Sequence, residues 1–293
     1  MMTEEPKITI VIPCYNEEES LPIMLPELLK FSRDRNWNVI LTNDGSTDTT
    51  GEILNGFSAH NNFTVITHKL NKGYGGALKT AIKNVRTEYL VSMDSDGQHY
   101  PEDAELLFRK LQETDADMIV GSRKELKSDD TYRSTGKWII RKISGMLVKN
   151  NVYDINSGMK LYNTGLARKY LNLCPDTMAF SDIITLIFSA RKHLVLEVPV
   201  RIKKRTGGKS TIGINTAFDT VMEVLNIVML FNPIKIFLPL SLIFFVLGTL
   251  WGVPIILAGR GVSVGAALLI LMGVITFLLG LIAEQLSLLR KRI

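Results

Sequence analysis

With 293 residues, 46% of them hydrophobic, the chain has room for one large domain and an accessory part and is too apolar to be disordered. Its net charge of +5 divides into an acidic opening, net −8 over residues 1–120, a basic middle, net +11 over 121–210, and a nearly balanced end, net +2 over 211–293; this is not the compact basic domain with interleaved aromatics of a nucleic-acid binder. The 2 cysteines, Cys14 and Cys174, lie far apart in no metal-like spacing, which argues against a disulfide framework and a zinc site and for a reducing compartment.

Over the first 120 residues short β-rich runs alternate with helical ones. Strands are predicted at 8–13, 38–43, 63–68, 88–93 and 117–122, with helices near 18–35, 47–59, 74–85 and 102–114. Such alternation predicts an α/β fold, a mainly parallel sheet covered by helices, with ligands at the carboxyl ends of the strands. Polar clusters fall at those ends: Tyr15-Asn16-Glu17, Asp44-Gly45-Ser46, Lys72-Gly73-Tyr74-Gly75-Gly76 and Asp94-Ser95-Asp96. In MDSDGQHYPED, Asp94, Asp96 and Gln98 occupy every second position, so in an extended segment their oxygens project to one side. Hard oxygen donors suit Mg²⁺ or Mn²⁺, ions that share their shell with substrate phosphates. Capping of the helix beginning at Pro101 is the competing use of these aspartates, but Glu102 and Asp103 serve it better.

Asp44 and Glu17 combine two uses: capping of the following helices and acceptance of hydrogen bonds from a ligand. KGYGGA resembles a dinucleotide-binding turn, and Asp94 stands where an acidic ribose partner would; yet that turn belongs after the first strand, and Gly73 follows the third. The glycines serve either close backbone approach to a ligand or a tight helix entry. His60, His68, His99 and His193 form no ligand spacing.

Arg123 closes the fifth strand, and Arg133, Lys137 and Arg141 then recur at every fourth position beside Trp138, Ile139, Ile140 and Ile143. On a helix this is a cationic stripe with apolar flanks, suited to a lipid phosphate or an anionic membrane surface, or else a solvated amphipathic face. A second basic cluster, RIKKRTGGKST at 201–211, follows the strand LEVPV and reads as a lid that orders around an anion. Segment 212–231 reads as an interfacial helix or a last core helix. No charged residue occurs from Ile236 to Gly259 or from Gly261 to Ala283, so two transmembrane helices are predicted, joined by a turn containing Arg260. Lys235 before the pair and the RKR at 290–292 after it place both ends in the cytoplasm. The acidic MMTEEPK is not a signal peptide, so the large domain is expected to remain cytoplasmic.

Taken together, VIPCYNEEESL, NDGSTDTT, NKGYGGA and DSDGQH resemble, in order and spacing, the GT-A-type inverting glycosyltransferases of family 2, and within them the polyprenyl-phosphate (dolichyl-phosphate) hexose synthases. The likeness covers about residues 7–211, and a membrane hairpin after such a domain fits the same subgroup. It implies a GT-A Rossmann-like domain at 1–211, a linker at 212–234 and a transmembrane hairpin at 235–289, acting on a UDP-glucose- or GDP-mannose-type donor with polyprenyl phosphate as acceptor. The resemblance further implies that Pro13, Tyr15, Glu17 and Asp44 line the base and ribose pocket, that Asp94 and Ser95 approach the nucleotide, and that Asp96 and Gln98 hold the metal. Lys72, Arg205 and Lys209 would join the donor site, although Lys209 stands before Ser210 where relatives place a lysine after the serine. Arg123, Ser144 and basic residues among Lys137, Arg141 and Lys142 would hold the acceptor phosphate; Asp94, Asp96, Arg123 and Arg205 form the implied catalytic set. Asp154 would hold local structure or face the site. Asp182 is the carboxylate left in FSDII, where relatives often carry a further acid, and would be the base for a hydroxyl acceptor. Self-association into a homo-oligomer stays open.

Overall fold

A computed structural model describes residues 7–123, 152–203, 229 and 232–292. They fall into two compact units, one made of residues 7–123 and 152–203, the other of residue 229 and residues 232–292. The first unit contains strands β1 (Ile8–Cys14), β2 (Asn38–Asn43), β3 (Phe63–Thr67), β4 (Tyr89–Ser92), β5 (Met118–Ser122), β6 (Lys160–Asn163) and β7 (Val195–Pro199). Its helices are α1 (Leu21–Asp34), α2 (Thr50–Phe57), α3 (Tyr74–Asn84), α4 (Pro101–Thr114), α5 (Thr164–Tyr170), which runs on into a 3₁₀ turn, and α6 (Phe180–Ala190). The second unit consists of α7 (Ile234–Leu257) and α8 (Val264–Arg292).

The sheet order is β3-β2-β1-β4-β6-β5-β7. Strand β1 is almost wholly apolar, Thr9 apart, because it is buried on both faces and flanked by parallel neighbours, Ile10 lying opposite Val39 of β2 and Val91 of β4. The edge strand β3 buries only Phe63 and accordingly carries Thr64 and Thr67. β6 departs from a purely parallel arrangement: Leu161 sits antiparallel to Val91 on one side and to Ile119 on the other, so β6 separates β4 from β5. Its reversed course brings Lys160 to the same sheet edge as the carboxyl ends of β4 and β5.

The core forms where Ile8, Ile10 and Ile12 of β1 and Val39 and Leu41 of β2 meet Leu21, Leu25 and Leu28 of α1 and Leu107 and Leu111 of α4. Each such aliphatic side chain contributes about 1.5–3 kcal/mol on burial. Trp37 closes this layer edge-on between Phe31, 5.3 Å away, and Phe108, 6.2 Å away. Helix α4 starts with Pro101 at its first position and Glu102 and Asp103 in its first turn, where the fixed φ of proline and the negative charges both favour initiation. Helix α6 is buried from Phe180 to Phe188.

In the second unit α7 and α8 form an antiparallel hairpin, each long and apolar enough to cross a bilayer, with most apolar side chains facing outward. The hairpin marks the chain for membrane association. Small residues set the contact: Gly248 packs against Ala266 and Ile270, and Gly273 against Ser241 and Phe245. Glu284 of α8 accepts the Ile234 amide at the start of α7, 3.5 Å away.

A side chain at Gly248 would begin 2.7 Å from the Ile270 side chain and 3.0 Å from the Ala266 carbonyl, whereas one at Gly56 in α2 meets nothing within 4 Å. Gly248→Leu is therefore expected to lower the thermal midpoint of the detergent-solubilised protein by several degrees through separation of the hairpin. Gly56→Ala is expected to stabilise by about 0.5–1 kcal/mol, because it removes a helical glycine without a collision.

Candidate active site

The loops after β1 and β2 interlock. Thr50 Oγ1 accepts the Glu17 amide at 2.8 Å, Asn16 Oδ1 accepts the Thr47 amide at 2.9 Å, and Glu18 Oε2 accepts the Thr49 amide at 3.1 Å. Pro13 lies buried in β1, Tyr15 stands exposed just beyond it, and Glu17 is half-buried. The Ser20 hydroxyl lies 2.6 Å from Glu17 Oε2 and 2.8 Å from the Ser95 carbonyl, tying the ends of β1 and β4 together.

Asp44 faces inward. Its Oδ1 accepts the Lys72 amide at 2.9 Å and lies 2.6 Å from His68 Nδ1, while Oδ2 accepts the Gly73 amide at 2.8 Å; His68 Nε2 in turn reaches Thr80 Oγ1 at 2.8 Å. Asp44, expected to close a base and ribose pocket, is held by these bonds within the protein and in turn holds the loop over 68–73, in which Lys72 is exposed. The glycines of KGYGGA have a specific use as well. Gly73 is left-handed, φ +86, with Asp176 O 2.5 Å from where its Cβ would be, and the absent Cβ of Gly75 would collide with the carbonyl of Pro175. The glycines thus admit the 175–177 loop of the protein itself, and Lys79 fixes that loop by a 2.6 Å ion pair with Asp176.

At the end of β4, Asp94 Oδ1 accepts the Tyr74 hydroxyl at 2.9 Å and Oδ2 lies 3.5 Å from His99 Nε2. Gly158 lies directly beneath this carboxylate, where a Cβ would collide with it. Burial opposes the Asp94 charge, but His99, the Tyr74 hydroxyl and Arg123 prevail and hold its pKa below the ordinary carboxylate value. Asp96 Oδ1 accepts the Gln98 amide at 3.1 Å, turning the chain so that both side chains belong to one tight loop. Gln98 Nε2 donates to the Lys203 carbonyl at 3.4 Å, which orients its side-chain amide.

Among the described residues no group of three or more His, Cys, Asp or Glu could cage a metal. A carboxylate and an amide oxygen in one loop nevertheless fit Mg²⁺ or Mn²⁺ of the kind that completes its shell with water and substrate phosphate.

Arg123 binds Asp154 along one edge of its guanidinium, Nε to Oδ2 and Nη2 to Oδ1, both at 2.8 Å, and Nη2 also reaches the Asn156 carbonyl at 3.1 Å. Contact with a phosphate is thereby narrowed to its remaining Nη1 edge. Asp154 holds local structure in this way: burial works against its charge, but Arg123 prevails and keeps its pKa low. Sequence reasoning passed over Lys160, which is fully buried and donates from Nζ to the carbonyls of Ile155, at 2.6 Å, and Ser181. Burial pulls its pKa down to about 8 against the opposing charges of Asp182 and Asp154. Its signal was a lone lysine inside the apolar GMKLY. Asp182 itself lies buried in the first turn of α6.

Arg201 and Lys203 of the second basic cluster act as anchors. Arg201 binds Asp103 through Nε at 2.9 Å and Nη2 at 2.7 Å, and Lys203 pairs with Glu27 at 2.6 Å. Both cations also stack on Tyr100, at 4.4 and 4.6 Å from the ring centroid. Lys137, Arg141, Lys142, Ser144, Arg205 and Lys209, and the helix expected over 212–231 apart from Met229, lie outside the described residues.

Residues 9–171 match the family described as Glycosyl transferase family 2, and residues 232–289 match the GtrB C-terminal hairpin. A relative from Methanocaldococcus jannaschii, described as the uncharacterized protein MJ1222, is 31% identical over 206 residues, 67% of this chain and 81% of its own length. Glucosyl-3-phosphoglycerate synthase from Mycobacterium tuberculosis, in complex with phosphoglyceric acid, superposes with a TM-score of 0.59 at 15% identity over 76% of this chain and 79% of that one. The same enzyme in complex with Mn²⁺, UDP-glucose and phosphoglyceric acid gives 0.54 at 15% identity over 76% and 79%. Residues 1–349 of Staphylococcus aureus TarS in complex with UDP-GlcNAc give 0.51 at 15% identity over 77% and 67%. At such identities the structural likeness is one of fold.

Asp154 is ionised more readily in the folded than in the unfolded chain, so its contribution to stability is present at neutral pH and fades as the pH falls below about 4. Asp154→Asn is expected to cost about 1.5–3 kcal/mol at pH 7 and to flatten the acid limb, read from thermal midpoints of the detergent-solubilised protein across pH.

Proposed function

Because the chain belongs to glycosyl transferase family 2, we propose that it transfers a hexose, with inversion, from a UDP-glucose- or GDP-mannose-type donor to polyprenyl phosphate at the cytoplasmic face of a membrane. One observation carries this reading: the acidic strand-end loop of Asp94, Asp96 and Gln98 occurs in the same chain as an apolar hairpin matching that of GtrB. A water-soluble acceptor requires no anchor in the bilayer; a lipid acceptor is found only there. Of the proteins with this fold, the TarS and glucosyl-3-phosphoglycerate synthase complexes hold UDP-sugars, the latter with Mn²⁺, which supports a nucleotide-sugar donor.

In this scheme residues 1–211 form the catalytic domain, 212–234 the connection and 235–289 the membrane hairpin with both ends cytoplasmic. Tyr15 packs on the base, Pro13 and Glu17 line its pocket, and Asp94 and Ser95 meet the ribose. Lys72, Arg205 and Lys209 face the diphosphate. Lys137, Arg141 and Ser144, with the Nη1 edge of Arg123, receive the acceptor phosphate. Asp96 and Gln98 would hold a divalent cation, which when bound would supply charge neutralisation at the donor diphosphate. A phosphomonoester has its second pKa at about 6, so at neutral pH it is already an anionic nucleophile and needs no base. Its oxygen bonds to the anomeric carbon from the face opposite the donor phosphate as the bond from that carbon to the diphosphate oxygen breaks, releasing the nucleoside diphosphate.

The buried Asp182 favours a second reading, a carbohydrate or glycerolipid hydroxyl as acceptor with Asp182 as base. Nucleoside diphosphate release, measured with Mn²⁺ over a panel of nucleotide-sugars, is expected to accelerate only when polyprenyl phosphate is added. Binding without release would instead describe a sensor. Asp182→Asn is expected to keep activity on polyprenyl phosphate within about ten-fold, and a loss of several orders of magnitude with folding intact rejects base-free attack.

A further inference from the structure

The KGYGGA segment contains a residue that the scheme above leaves unused. Tyr74 is the first residue of α3, directly after the left-handed Gly73, and its helix start is locked against residues 175–177 by the glycines described above. This placement carries its hydroxyl to Asp94 Oδ1 at 2.9 Å. The Ser181 side chain lies close to the phenol oxygen and partly offsets the rise in its pKa, and the Ser181 carbonyl accepts from Lys160 Nζ. Asp94 is thereby confined from several directions. Tyr74 lies on one oxygen, His99 at 3.5 Å on the other, and the bare Cα of Gly158 beneath leaves no room for rotation downward.

We infer that Tyr74 is a positioning residue: the glycine turn presents its hydroxyl to fix the Asp94 carboxylate in the orientation that receives a sugar nucleotide. This rests on the donor site proposed above. The phenol suits the task, because burial and then the adjacent Asp94 charge hold its pKa well above the usual range, so it remains a donor at all working pH values. A carboxylate held in advance loses less freedom when a ligand hydroxyl binds it, and this advantage is expressed in affinity. The motif that resembled a dinucleotide turn thus acts on the donor through a side chain of α3.

The test is calorimetric titration of the full-length protein in detergent with UDP and with GDP, each with Mn²⁺. Tyr74→Phe keeps the ring and deletes the donor. It is expected to raise the nucleotide Kd about ten-fold while the binding stoichiometry stays at the wild-type value. Ser181→Ala, which removes the group behind the hydroxyl without touching Asp94, is expected to raise Kd by a smaller factor, about two- to three-fold. A purely structural role would lower the stoichiometry or the midpoint and leave Kd unchanged, and that result overturns the inference. So does a wild-type Kd in both variants. A wild-type protein that binds neither nucleotide overturns the donor reading, and the inference with it.

Discussion

Charge withdrawn from water at one edge of the sheet is the constraint around which this molecule is organised. Asp44, Asp103 and Asp182 are all buried or nearly so, Lys160 is fully buried, and Asp94 and Asp154 are partly covered. An isolated ion in such surroundings is strongly unfavourable, and several of these groups are tied to partners from distant parts of the chain. The Asp44 carboxylate gathers two backbone amides and His68, Asp103 takes the fork of Arg201, and Asp154 takes that of Arg123. The loops are therefore held by the same electrostatics that makes them useful. A site assembled this way presents charge to a ligand with little reorganisation left to perform.

Much of the architecture was legible in the sequence because its signals are local. β2 spans Asn38–Asn43 as predicted and α3 begins at Tyr74, since apolar runs bounded by glycine, asparagine and aspartate mark their own ends. The clustering of polar residues at strand ends followed from the parallel alternation alone. β6 did not stand out: it has only four residues, begins with a lysine, and owes its existence to two neighbouring strands. Local pattern carries no information about such a partner-dependent strand.

Side-chain roles were harder to read than side-chain positions, for a related physical reason. The sequence does not show that Asp44 is held by partners at 68, 72 and 73, nor that Arg123 shares its guanidinium with Asp154, 31 residues later. Glycines are ambiguous in the same way. Their lack of a Cβ announces close approach but not of what, and at Gly75 the answer is the protein's own loop at 175–177. Tyr74 and Lys160 were passed over because an aromatic at a helix start and a lysine in a strand are each ordinary in isolation.

The insertion of β6 between β4 and β5 also dictates the order in which the sheet can be completed. β5, at 118–122, leaves the ribosome before either strand that flanks it, for β6 follows at 160–163 and β7 at 195–199. At synthesis rates of about 5–20 residues per second, its hydrogen-bonding edges stand open for seconds while β1 to β4 are already able to pair. The nascent protein is therefore a half-sheet with a waiting edge, and keeping that edge from foreign strands is a task that falls to the cell before the enzyme exists.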